Sequence, residues 1–154
     1  PASRITEGLL FHRFKQRAVF FLLLKLMGPL RLHKLKPLLN VISKSRRAMH
    51  RHLDKLEAQL SAEAGPWIIG HQFTLADVGV MVILDRLREG DWLDEFINSE
   101  RPLLQRYWQN LQARASFASA LTAHNHPTVE RGLARIVELK QHHSTFKAIL
   151  TGLL

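Results

Sequence analysis

Gln72-Phe73-Thr74-Leu75-Ala76-Asp77-Val78 is the stretch on which the fold of this chain turns. Thr74 suits a helix N-cap, its hydroxyl accepting from the backbone N–H of Asp77. The Asp77 carboxylate can reach back to the N–H of Thr74, so two donors that a helix start leaves open are satisfied reciprocally. Asp stands where Glu or Gln is usual, and its charge suits the positive end of the helix dipole. Phe73 and Val78 flank this box at the N′ and N4 positions of a hydrophobic staple. The spacing predicts a helix that starts here.

Val78-Gly79-Val80-Met81-Val82-Ile83-Leu84 comes next, and only Asp85, Arg86 and Arg88 restore polarity. A helix that is apolar all round belongs in the middle of a bundle, so this run is expected to be hidden from water. A short Val-rich run also fits a buried strand. The box decides for the helix, because such boxes do not open strands.

Outward from that centre, helical patterns alternate with breaks. Thr6 to Met27 reads as one long helix with a stripe of Leu9, Leu10, Phe14, Ala18, Phe21, Leu22 and Leu24. Its apolar run is too short for a bilayer, which needs ~20 apolar residues. Gly28-Pro29 ends it. Leu30 to Ile42 reads as a basic connector interrupted by Pro37. Ser43 or Ser45 then caps a helix to about Ala64, with Met49, Leu53, Leu56 and Leu60 as its inner stripe. An acidic loop around Trp92 and Phe96 follows the central helix. Pro102 suits the first turn of a helix that points Leu104, Trp108 and Leu111 one way. Ser116 caps a short helix with Phe117, Ala120 and Leu121. Pro127 opens a last one with Val129, Leu133, Ile136 and Val137 inward. Phe146, Ile149, Leu150 and Leu153 keep helical spacing in the tail, which can pack, pair with a partner or lead into an anchor. The expectation is an all-α bundle of six or seven helices in a single domain, 1–154.

Composition narrows the chemistry. With 46% apolar and 23% charged residues among 154, the chain has the make-up of an ordinary globular domain. It has no cysteine, so it can form no disulfide, thiolate nucleophile or Cys-based metal site. Of its nine histidines, no two stand at i,i+3 or i,i+4, the spacings that share a helix face, and no metal site is expected. No phosphate loop, nucleophile elbow or carboxylate pair is present. The net charge of +9 is lopsided, residues 1–60 holding 13 Lys/Arg against 3 Asp/Glu. That half is either a solvated basic face or a contact for nucleic acid, an anionic membrane or an acidic partner.

The pattern Trp67-Ile68-Ile69-Gly70-x-x-Phe73-Thr74-Leu75-Ala76-Asp77, followed by Arg101-Pro102-x-Leu104-x-x-Tyr107-Trp108, resembles the all-helical C-terminal domain of glutathione S-transferases. In that family the first segment caps the central helix and the second opens the next one. The resemblance runs from Arg46 to Leu121, about half of the chain. With Leu84, Arg86 and Leu87, it is similar to the tetrachlorohydroquinone dehalogenase-like and ganglioside-induced differentiation-associated protein-like branches.

The resemblance implies a role. A thioredoxin-like N-terminal domain, which this chain lacks, binds glutathione as co-substrate and supplies the residue that stabilises its thiolate. The helical domain contributes the pocket wall for a small hydrophobic electrophile, mainly from its first helix, and part of a homodimer interface. Carried over, the wall lies on Thr6–Met27, with Phe11, His12 and Lys15 as candidates. Phe73, Thr74, Asp77 and Val78 are then structural, and no residue of this chain is expected to be catalytic. The implied activity is cytoplasmic detoxification by conjugating or reducing an electrophile. The alternative is a non-catalytic interaction module that binds a protein, RNA or an anionic membrane. On the capping box alone, Asp77→Ala is expected to lower stability by ~1–2 kcal/mol, read from thermal melts.

Overall fold

The computed structural model describes residues 36–124 and 126–151. Within them the first helix is α1 (Lys36–Ala62). From Lys36 on, the basic connector expected up to Ile42 is helical, and Ser43 and Ser45 lie inside α1 rather than capping it. Ser43 instead accepts from Arg47 Nη1 at 2.7 Å. Leu53 and Leu60 are buried on this helix, with Met49 and Leu56 packed beside them. The expected long helix over Thr6–Met27 lies outside the described residues, as do the tail residues beyond Thr151.

Between α1 and the next helix the chain makes a tight turn closed by Trp67 N–H to the Gly70 carbonyl at 3.1 Å. A Cβ on Gly65 would stand 2.1 Å from that carbonyl oxygen, and Gly70 has φ +59°. Both positions therefore require glycine. Two isolated antiparallel bridges cross this turn, and among the described residues no strand forms.

The central helix, α2 (Leu75–Glu89), starts at the N-cap Thr74. Its burial is one-sided, which corrects the expectation of a helix hidden all round. Asp77, Met81, Leu84 and Asp85 face inward, while Leu75, Val82 and Ile83 are exposed, Leu75 by 87%. The spacing explains this. Residues 77, 81, 84 and 85 share one face of a 3.6-residue helix, and 75, 79, 82 and 83 share another.

After α2, Gly90 and Asp91 turn the chain into a short helix, α3 (Leu93–Phe96), where a loop was expected. Trp92 stacks on Phe96 with the rings 11° apart. Then come α4 (Pro102–Gln112), α5 (Ala115–Ala120), a 3-10 turn (Thr122–His124), α6 (Pro127–His142) and α7 (Ser144–Thr151). Ser116 lies inside α5 rather than capping it, since the N-cap is Arg114. His126 caps α6 through Nδ1, which accepts from the Thr128 N–H at 3.2 Å.

The seven α-helices make an all-α bundle among the described residues. Helix α1 packs on α3 and α4, α2 on α3, α4 and α6, and α6 on α7. Leu84, Leu104 and Leu111 at its centre are fully buried, with Tyr107, Trp108, Phe96 and Phe117 around them. Each buried Leu contributes roughly 1.5–3 kcal/mol. No described helix is long and apolar enough to cross a membrane.

Leu84→Ala is expected to cost about 2–5 kcal/mol in urea unfolding, whereas Ile83→Ala on the open face costs under about 1 kcal/mol. Equal losses would contradict a one-sided α2. Gly65→Ala forces the turn open and lowers the melting temperature.

Candidate functional site

Asp77 stands at N3 of α2 because Thr74 takes the N-cap, and from there its carboxylate turns back toward the turn and α4. Oδ2 accepts from the Thr74 N–H at 2.7 Å and from the Thr74 hydroxyl at 3.0 Å. Oδ1 accepts from the Ile68 N–H and from the Tyr107 hydroxyl, each at 3.0 Å. The side chain has no exposure to water. Burial pushes its carboxyl up, but the bonds from Ile68, Thr74 and Tyr107 together outweigh that and hold it below the ordinary carboxylate value. Tyr107 moves the opposite way. Burial, then the adjacent Asp77 charge and the bond to it, push its hydroxyl far above 10.0, so it remains a donor. The arrangement is a lock, with Asp77 held as the acceptor and Tyr107 as the donor.

Aromatic rings close over the lock. Phe73 meets Trp67 edge-on at 5.1 Å, and Trp67 meets Tyr107 at 6.3 Å. The Arg114 guanidinium lies 3.6 Å above the Phe73 ring and 5.2 Å from that of Trp67, a cation–π contact. Val78, the other half of the expected staple, is half-buried.

A second joint holds α4 to α1. Arg101, 6% exposed, donates from Nε to Asp54 at 2.9 Å, from Nη1 to the Phe96 carbonyl at 2.9 Å, and lies 3.1 Å from His50 Nδ1. Glu57 accepts from the N–H groups of Leu103 and Leu104 at 2.9 and 2.6 Å. A carboxylate from α1 thereby caps α4 and complements its dipole.

Beside the lock, a cleft of about 460 Å³ opens between the end of α1, the turn at 65–72 and α4. Leu60, Pro66, Leu103 and the Tyr107 ring give it an apolar wall, while Arg106, Asn110, His71 and Glu63 bring polar groups. Its volume lies in the range of small-molecule sites. Among the described residues no group of His, Asp and Glu gathers to hold a metal ion.

Thr74 and Asp77 meet in a reciprocal capping box, while Phe73 packs on Trp67. Phe11, His12 and Lys15 lie outside the described residues. Sequence reasoning missed the Asp77 tie to Tyr107, the Asp54–Arg101–Glu57 joint and the cleft. One signal was present. Tyr107 shares the apolar face of α4 with Leu104, Trp108 and Leu111, and a buried tyrosine hydroxyl needs a partner.

The model of the glutathione S-transferase C-terminal domain matches residues 42–124. Among curated proteins, tetrachloro-p-hydroquinone reductive dehalogenase of Sphingobium chlorophenolicum is 36% identical over 75 residues. That match spans 47% of this chain but only 27% of the relative. No solved structure matches.

With two further donors on Asp77, the expected cost of Asp77→Ala rises to about 3–5 kcal/mol, because Ile68, Thr74 and Tyr107 would all lose their acceptor. Tyr107→Phe costs about 1 kcal/mol. The unfolded chain protonates Asp77 near 3.8 and the folded one only at lower pH. The stabilisation is therefore complete above that value and is lost as pH falls through the folded one. Urea melts of wild type and Asp77→Asn should accordingly differ most near neutrality and converge below about pH 3.8.

Proposed function

The chain belongs to the glutathione S-transferase C-terminal domain family, and from that premise we propose that it is the electrophile-side half of a glutathione-dependent protein. The match over residues 42–124 carries this reading, and the closed Thr74–Asp77 box supports it. Glutathione is the co-substrate, bound by a thioredoxin-like domain outside this chain. The thiolate attacks a small hydrophobic electrophile, conjugating it or displacing a halide, in a cytoplasmic homodimer. Similarity to a reductive dehalogenase favours a chlorinated aromatic electrophile. The wall of its pocket falls on Thr6–Met27, with Phe11, His12 and Lys15 as the residues to test. The open face of α2 at Leu75, Val82 and Ile83 suits a partner domain, since exposed apolar patches mark contact surfaces.

One observation favours the second reading, a non-catalytic module. Lys44, Arg47, Arg51 and Lys55 are exposed on α1 at spacings that share one face. None of the four is ion-paired to a described residue.

Joined to a thioredoxin-like domain, the protein is expected to consume glutathione with a chlorinated aromatic, while this chain alone leaves the uncatalysed rate unchanged. Turnover by the chain alone would overturn the assignment of glutathione to the other domain. The second reading predicts RNA or anionic-vesicle binding that weakens steeply with salt and with Arg47→Gln/Arg51→Gln.

A further inference from the structure

The cleft beside the Asp77 lock has a one-sided set of uncommitted polar groups. The Tyr107 hydroxyl is spent on Asp77, so only its ring faces a ligand. Glu63 keeps its negative charge, but its oxygens are directed to other neighbours. Its Oε1 accepts from Gln59 at 3.3 Å, and its Oε2 lies toward Gly70, 3.4 Å from where a Cβ would stand. Arg106, Asn110 and His71, by contrast, have no partner among the described residues. They stand around a wall made by Leu60, Pro66 and Leu103. The free capacity is therefore a guanidinium fork, an amide and an imidazole beside an apolar surface.

A guanidinium matches the planar, two-oxygen geometry of a carboxylate, and an apolar wall adds affinity only for a ligand with a hydrocarbon or aromatic body. We propose that this cleft binds a small carboxylate with an apolar body, the carboxylate on Arg106 with help from Asn110, and the body against Leu103 and Pro66. The proposal does not rest on the electrophile pocket proposed for Thr6–Met27. Its contact with Tyr107 has a consequence. A ligand here rests on the helix that donates to Asp77, and binding to the folded chain alone raises its stability.

Benzoate is the probe, added to the isotope-labelled chain and followed by amide chemical shifts. Saturable shifts centred on His71, Arg106 and Asn110 are expected, with a melting temperature that rises with benzoate concentration. Arg106→Gln, at an exposed position, should weaken binding about tenfold, the size expected for one charge-assisted pair. Benzamide, which keeps the ring and loses the charge, should bind several-fold more weakly, as should inorganic phosphate, which keeps charge and loses the ring. Shifts that never saturate, or benzoate affinity unchanged in Arg106→Gln, would overturn the site. Phosphate binding as tight as benzoate would overturn the need for an apolar body.

Discussion

A carboxylate with no exposure to water, held by four donors, is the constraint on which the described bundle depends. Removing an ionised group from water costs several kcal/mol unless its lone pairs are filled. Asp77 has them filled from three directions: by the helix start it caps, by the turn before it and by α4. The carboxylate thereby fixes the position of α2 relative to both neighbours. A hydrophobic contact at the same place would tolerate sliding, whereas hydrogen bonds of 2.7–3.0 Å do not. The aromatic cover of Trp67 and Phe73 keeps water from competing for those bonds.

The local half of this arrangement was legible in the sequence, and the long-range half was not. Thr74 and Asp77 are three residues apart, so the geometry of one helical turn brings them together whatever the rest of the chain does. Leu104, Trp108 and Leu111 were likewise assigned to the core by spacing alone. The stretch from Lys36 to Ile42 misled because a proline among basic residues reads as a break, yet the chain there is helical. The apolar run Val78–Leu84 misled differently. Its composition reports hydrophobicity but not which neighbours are present to cover each side, and Val82 and Ile83 stay exposed. Tyr107 and Asp77, 30 positions apart, have no pattern that pairs them without knowing how α4 crosses α2.

The functional reading rests on a different footing from the fold. Within the described residues, the perturbed acid and the perturbed tyrosine serve structure, and each is shifted in the direction that stops it from trading protons. Perturbed groups often mark catalysis. Here the cause of each shift argues the reverse, because the partners of Asp77 are backbone donors, a threonine hydroxyl and a phenol.

Glu57 closing the first turn of α4, together with Asp54 on Arg101, has a topological consequence. The start of α4 is completed by groups 46 and 47 residues away along the chain. Helical proteins ordinarily assemble quickly from near neighbours in sequence, each helix marginal yet locally specified. In this one a helix terminus acquires its last partners only when a distant segment arrives, so segment order and docking are coupled. Fragments cut between α1 and α4 would lose cooperativity rather than merely length.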